Sequence, residues 1–178
     1  MKRILFIPLL IIPFLGFGQG WTNHFGNNNT NNEGYSVRQT NDGGYIITGY
    51  TYYNTLGGKD VYMIKTDEFG IEEWSKKYGG IYDDHGRSIE QTNDGGYIIV
   101  GDIYDISSNS DIFLIKTDDY GDTLWTKTFG SNYGDFGRSV KQTSDNGYIL
   151  TGYKDYNTSS PQNQDLILIK TNLVGDTL

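Results

Sequence analysis

Cysteine is absent from the 178 residues, so disulfides, thiolate metal sites and thiol nucleophiles are all excluded. Histidine occurs only as His24 and His85. Two imidazoles without cysteine make no standard zinc site and leave few general bases. Positive charge is scarce: 14 Lys and Arg face 22 Asp and Glu, a formal net charge of −8. Nucleic acid is therefore excluded as a partner, because phosphates demand a basic surface. Anionic membrane surfaces are excluded for the same reason. Only one long apolar run exists, Ile4 to Leu15, broken by Pro8 and Pro13. It follows Lys2 and Arg3 and ends at Gly16-Phe17-Gly18, which places small residues before Gln19. That pattern reads as a secretory signal peptide over residues 1–18, too short and wrongly flanked for a membrane span. No cysteine follows it to carry a lipid. Cleavage would remove Lys2 and Arg3 and take the charge from −8 to −10. The expectation is a secreted or outer-surface protein of residues 19–178, with no membrane insertion after cleavage.

Helical periodicity is missing from everything after residue 18, and a repeat of about fifty residues takes its place. Gln39-Thr40-Asn41-Asp42-Gly43-Gly44-Tyr45-Ile46-Ile47-Thr48-Gly49 returns at Gln91 to Gly101 and at Gln142 to Gly152, in steps of 52 and 51 residues. Such a period is the signature of a repeat architecture. Trp21, Trp74 and Trp125 recur in steps of 53 and 51 residues, each followed four residues on by an aromatic and a glycine. Aromatics at 15%, with 15 tyrosines, and 24 glycines suit a chain of short strands and tight turns.

Each period holds four strand-like runs. The first alternates: Ser36 to Thr40, Ser88 to Thr92, Ser139 to Thr143. The second is Tyr45 to Thr48, Tyr97 to Val100, Tyr148 to Thr151. The link between them, Asn-Asp-Gly-Gly or Ser-Asp-Asn-Gly, carries hairpin turn chemistry. The third is apolar on both faces and must be covered on both: Val61 to Ile64, Ile112 to Ile115, Leu166 to Ile169. The fourth carries the tryptophan, Ile71 to Tyr78 and Asp122 to Phe129, with another around Trp21 at the start. The fold expected is all-β and β-propeller-like, with four-stranded antiparallel blades packed between neighbours. About three blades are present, in repeats of about 21–73, 74–124 and 125–178, an incomplete ring. A β-solenoid is the runner-up. Open blade edges make self-association into a larger ring the alternative to a fragment of a longer chain.

The meander puts the first–second and third–fourth links at one end, and these barely change. The other links differ between repeats: Tyr50 to Lys59, Asp102 to Ser110 and Tyr153 to Gln164, with Asn27 to Glu33, Gly80 to His85 and Ser131 to Phe136. Variation confined to one face often marks the binding side of a repeat protein.

The pattern Ser-x-x-Gln-Thr-x-Asp-Gly-Gly-Tyr-Ile-Ile-x-Gly, then Asp-x-x-x-Ile-Lys-Thr-Asp-x-x-Gly-x-x-x-Trp, resembles propeller-like repeats of exported proteins in bacteria that use type IX secretion. The resemblance spans residues 19–178. It implies a surface protein without an assigned reaction, often multidomain and with a C-terminal sorting domain that this sequence does not show. A weaker resemblance is to the Asp-box of sialidases: Thr117, Asp119, Gly121 and Thr123 match, with Trp125 one residue late. There the box is a structural turn and carries no catalysis.

Candidate chemistry gathers at the variable end. Tyr52, Tyr53, Tyr82, Tyr104, Tyr133 and Tyr156 offer rings for a sugar or an extracellular protein, or pack the loops against one another. Arg87 and Arg138 share one repeat position, where the first repeat has Tyr35. A carboxylate clamp would use such guanidinium forks, although salt bridges to Asp84 and Asp135 explain the repetition better. The pairs Asp83-Asp84 and Asp118-Asp119 alternate in direction and do not make a glycosidase acid and base. His24 is read as a surface residue of the strand around Trp21. No catalytic residue and no metal ligand is assigned. The Asp- and Asn-rich loops suit calcium by donor type, but no Asp-x-Asp-x-Asp-Gly loop occurs, so no cofactor is expected beyond a calcium test. The function expected is a non-catalytic exported module for binding or display. A piece of a propeller glycoside hydrolase or lyase whose site lies elsewhere, and a ligand-free spacer, are the alternatives.

Overall fold

The computed structural model describes residues 20–26, 29–53, 57–106, 109–155 and 163–178. The leader and Tyr156 lie outside the described residues. Eleven strands and no helix make up what is described. Sheet 1 holds β1 (Thr30–Gln39), β2 (Tyr45–Tyr53), β3 (Lys59–Thr66) and β4 (Glu72–Tyr78). Sheet 2 holds β5 (Asp84–Gln91), β6 (Tyr97–Tyr104), β7 (Ser110–Thr117) and β8 (Thr123–Phe129). Sheet 3 holds β9 (Asp135–Gln142), β10 (Tyr148–Asp155) and β11 (Gln164–Thr171). Every pairing is antiparallel between chain neighbours, so each sheet is a meander.

The sheets stack face to face, closest along their first strands, where β5 touches both β1 and β9. Strand pleating sends alternate side chains to opposite faces. Tyr97 and Ile99 of β6 therefore join Ile46, Val61 and Met63 of sheet 1. Ile98 and Val100 join Val140, Tyr148 and Leu150 of sheet 3. Sheet 2 is thus covered on both faces, which is why β6 and β7 read as continuous apolar runs. Complete burial of a side chain such as Leu114 stabilises by about 1.5–3 kcal/mol.

Two expectations change. Residues 21–25 form no strand, because no preceding third strand exists in the described chain for them to pair with. Trp21 nonetheless packs edge-on against Tyr45 at 5.7 Å, as Trp74 does against Tyr97 and Trp125 against Tyr148. The first strands also start earlier than the alternation shows, at Thr30, Asp84 and Asp135, so residues assigned to variable loops are paired. The alternation breaks at a β-bulge between Gly34 and Ser36, repeated at Gly86–Ser88 and opposite Thr151–Gly152 in sheet 3. One extra residue at each bulge shifts the side-chain phase. Sequence alternation read from Ser36, Ser88 or Ser139 stops there.

Candidate functional site

The constant end is a set of braces. The Asp42 carboxylate accepts from the Thr40 hydroxyl and from Gly44 N at 3.0 Å, which shapes the β1–β2 hairpin. Asp94 and Asp145 repeat it. The lysine of each Ile-Lys-Thr run lies beneath that hairpin, buried in sheets 1 and 2 and partly exposed in sheet 3, and ion-pairs with its aspartate: Lys65–Asp42 at 2.9 Å, Lys116–Asp94 at 3.0 Å, Lys170–Asp145 at 2.8 Å. The Thr40 hydroxyl and then Lys65 hold Asp42 down to about 2. Glutamines bind sheet to sheet: Asn41 N donates to Gln91 Oε1, and Asn93 N to Gln142 Oε1, each at 2.8 Å. In the β7–β8 turn Asp118, not the Asp119 of the Asp-box match, accepts from Tyr120 N and Asp122 N. Asp67 and Asn172 do the same in their turns. Each repeated residue at this end is thereby engaged in structure.

The other end carries two features. The first is an ion cluster at the bulges. Gly86 and Gly137 precede the extra residues Arg87 and Arg138, which the bulge turns toward Asp102 on β6. Arg87 Nε donates to Asp102 Oδ2 at 2.7 Å, and Arg138 Nη1 to Oδ1 at 3.0 Å. Gly137 N donates to Oδ1 at 3.1 Å. The expected partners Asp84 and Asp135 are therefore corrected. Both carboxylates are turned to the loops: Asp84 accepts from Gly80 N at 3.0 Å and Tyr104 N at 3.3 Å, and Asp135 from the Ser131 hydroxyl at 2.8 Å. The Asp102 side chain is 0% exposed and joins sheet 2 to sheet 3. Arg87 stacks on Tyr35 at 4.5 Å and Arg138 on Tyr153 at 4.9 Å. Asp102 had been assigned to a variable loop. The signal that could have found it is its repeat position, where Tyr50 and Tyr153 stand in the other repeats.

The second feature is a cavity of about 500 Å³ between the loops that follow β2, β4 and β6. Its walls include Gly58, Ile81, Tyr82, Asp83, Tyr104 and Asp105. The structure thus brings Tyr82 and Tyr104 to one wall set, with Asp84 tied to the Tyr104 backbone. Tyr52 and Tyr53 end β2 away from the cavity, with Lys77 Nζ 5.9 Å from the Tyr53 ring. Tyr133 is exposed on the next loop. His24 is exposed but lies in no strand. Among the described residues, no three Asp, Glu or His side chains gather as metal ligands.

His85 was expected on the variable loop Gly80 to His85. It is a buried residue of β5, edge-on to Tyr50 at 5.3 Å and 6.0 Å from Tyr104. Its Nδ1 has no hydrogen-bond partner. Burial, and then Arg87, bring its pKa down to about 4, while burial pushes Asp84 up to about 6. The signs oppose. Asp84 contributes stability that is complete at low pH and is lost as pH rises through about 6. His85 costs stability as pH falls from about 6.5 through about 4. Replacing His85 with Phe, the residue that sheet 3 has there as Phe136, leaves the Asp84 effect unopposed. His85→Phe should gain about 2 kcal/mol on the wild type between pH 7 and pH 4.5. Urea unfolding at the two pH values measures this, and a pH-independent difference would refute it.

No protein-family model matches the chain, and no curated protein matches it.

Proposed function

We propose that the chain is a non-catalytic repeat module, its three sheets being blades of a β-propeller, which holds a carbohydrate at the loop end. The cavity beside Tyr82 and Tyr104 carries this reading. Tyrosine rings present apolar faces to sugar C–H groups and a polar tip to hydroxyls. The Asp83 and Asp105 side chains on the same walls add hydroxyl acceptors. A carbohydrate fits this mixture of rings and carboxylates better than the broad apolar centre of a protein interface. The groups that a sialidase-like site would use favour binding over catalysis. Arg87 and Arg138 are committed to Asp102, and Asp84 and Asp135 to loop N–H and O–H groups. The leader-like residues 1–18 and the resemblance to type IX repeats fit export to the cell surface.

The test is calorimetric titration of residues 19–178 with neutral and uronic-acid oligosaccharides, with calcium and with chelator. Binding by at least one glycan, weakened about tenfold in Tyr104→Ala, is expected from the loss of one ring contact. Absence of binding across the panel would favour a spacer, and cleavage of any glycan would favour an enzyme. Either result would overturn the proposal.

A further inference from the structure

Four tyrosines at the loop end each hold one of the protein's own cations against the ring. Arg87 Cζ lies 4.5 Å from the Tyr35 centroid, and Arg138 Cζ 4.9 Å from that of Tyr153. Lys59 Nζ lies 4.5 Å from the Tyr50 centroid, and Lys77 Nζ 5.9 Å from that of Tyr53. The quadrupole of an aromatic ring attracts a cation within about 6 Å of its centroid. Tyr82 and Tyr104 differ. Among the described residues, no lysine or arginine stands over either ring. Tyr104 meets only the edge of His85, an imidazole that burial keeps neutral above about pH 4. These two rings are the ones on the cavity walls.

The charge on those walls has one sign. Asp83 and Asp105 stand there, and the described lining includes no lysine or arginine. Asp83 Oδ1 accepts from Lys59 N at 3.0 Å, a backbone donor that leaves the carboxylate charge in place. Among the described residues, Asp83 forms no ion pair. Asp60 and Asp84 add to the same field: both border Gly79, and Asp83 and Asp60 help burial to raise the Asp84 carboxyl. The cations of this region are committed elsewhere, Lys59 to Tyr50, Lys77 to Tyr53 and Arg87 to Asp102. The walls are also tied to one another. Gly58 N donates to Ile81 O at 3.0 Å, which joins the loop after β2 to the loop after β4. Asp105 N donates to Asn109 O at 3.2 Å and closes the loop after β6. A wall set held this way loses little freedom when a ligand enters.

We infer that the ligand of this cavity is a glycan with free amino groups, whose ammonium takes at Tyr82, Tyr104 and Asp83 the place that lysine or arginine takes at the other tyrosines. The inference rests on the carbohydrate reading and narrows it to a class of sugar. A protonated amine satisfies the rings and the carboxylate together. Acetylation of the nitrogen keeps the sugar and removes the charge. A uronic acid brings a like charge to Asp83 and is repelled.

Calorimetric titration of residues 19–178 with oligomers of equal length tests this, using glucosamine, N-acetylglucosamine and galacturonate. A buffer at about pH 6 keeps amines of the α-amino kind protonated and ordinary carboxylates ionised. The glucosamine oligomer should bind about tenfold more tightly than the N-acetylated one. That preference should fall to about threefold in Asp83→Asn, whose amide oxygen can still accept from Lys59 N. It should also shrink as salt is raised to about 0.5 M. Glu68→Gln removes one charge from an exposed turn at the constant end and should leave the preference unaltered. Equal or tighter binding of the N-acetylated or the uronic oligomer would overturn the inference and leave the carbohydrate reading standing. So would an equal fall in Glu68→Gln, because diffuse charge rather than the cavity would then hold the amine. Equally tight binding of hexalysine would make the ligand a basic peptide and overturn it as well. No binding by any oligomer would overturn both readings.

Discussion

Replacing Asp102 with alanine should destabilise the protein by about 3–5 kcal/mol, the cost of breaking a buried ion cluster from one side. The carboxylate is completely buried and accepts from Arg87, Arg138 and Gly137 N. Its removal leaves two guanidiniums facing each other with no counter-charge, and an orphaned backbone donor as well. Arg138→Ala should cost less, because that side chain is 38% exposed and water can take its place. The two changes should not add. A double-mutant cycle is expected to show a coupling of about 1–3 kcal/mol, since both remove the same contact. Urea unfolding followed by tryptophan fluorescence measures all four states. A cost near zero for Asp102→Ala would mean that the cluster does not hold sheet 2 to sheet 3.

Gly101→Ala should be as severe, about 3–5 kcal/mol, by a different route. Gly101 lies opposite the bulge that carries Arg87. A Cβ there would stand 1.7 Å from the His85 carbonyl oxygen. The obstacle is backbone, so no side chain can swing aside, and the bulge must open. Gly49 and Gly152 meet the carbonyls of Glu33 and Phe136 in the same way. The control is Gly80→Ala, where nothing lies within 4 Å, and which should stay within about 0.5 kcal/mol of wild type. Equal behaviour of Gly80→Ala and Gly101→Ala would show that the bulge is not required.

These two cases mark how much the sequence shows and where it stops. The hairpin turns were legible because Asp94, Gly95 and Gly96 state their chemistry locally. The both-faces-buried third strand was legible in sheet 2, because Ile112 to Ile115 has no polar residue to expose; the same expectation fails for Leu166 to Ile169, where Leu166 and Leu168 are exposed because no further sheet covers that face among the described residues. The final glycine of each Tyr-Ile-Ile-x-Gly run was visible as a repeated letter, but its cause was not. It is set by a carbonyl on the neighbouring strand, which only the register reveals. Asp102 was missed for a related reason. It occurs once, where the other repeats have Tyr50 and Tyr153, so a search for what repeats passes over it. Its partners lie 15 and 36 residues away on two different sheets. The lysines of Ile-Lys-Thr repeat plainly. That they reach the hairpin aspartates follows from the pairing of second and third strands, not from local spacing. Of the tyrosines, composition could nominate the set, but loop geometry decides that Tyr82 and Tyr104 share a cavity while Tyr53 does not.

Across all three sheets the repeated residues brace the constant end, and the residues that differ gather at the loops. Ligand binding should therefore perturb one end only. Amide chemical-shift mapping of residues 19–178, titrated with an oligosaccharide that binds in the calorimetric panel, tests this most directly. Shifts should cluster at residues 57–58, 81–83 and 104–105. A cluster at the hairpins of residues 41–44, 93–96 and 144–147 would contradict it.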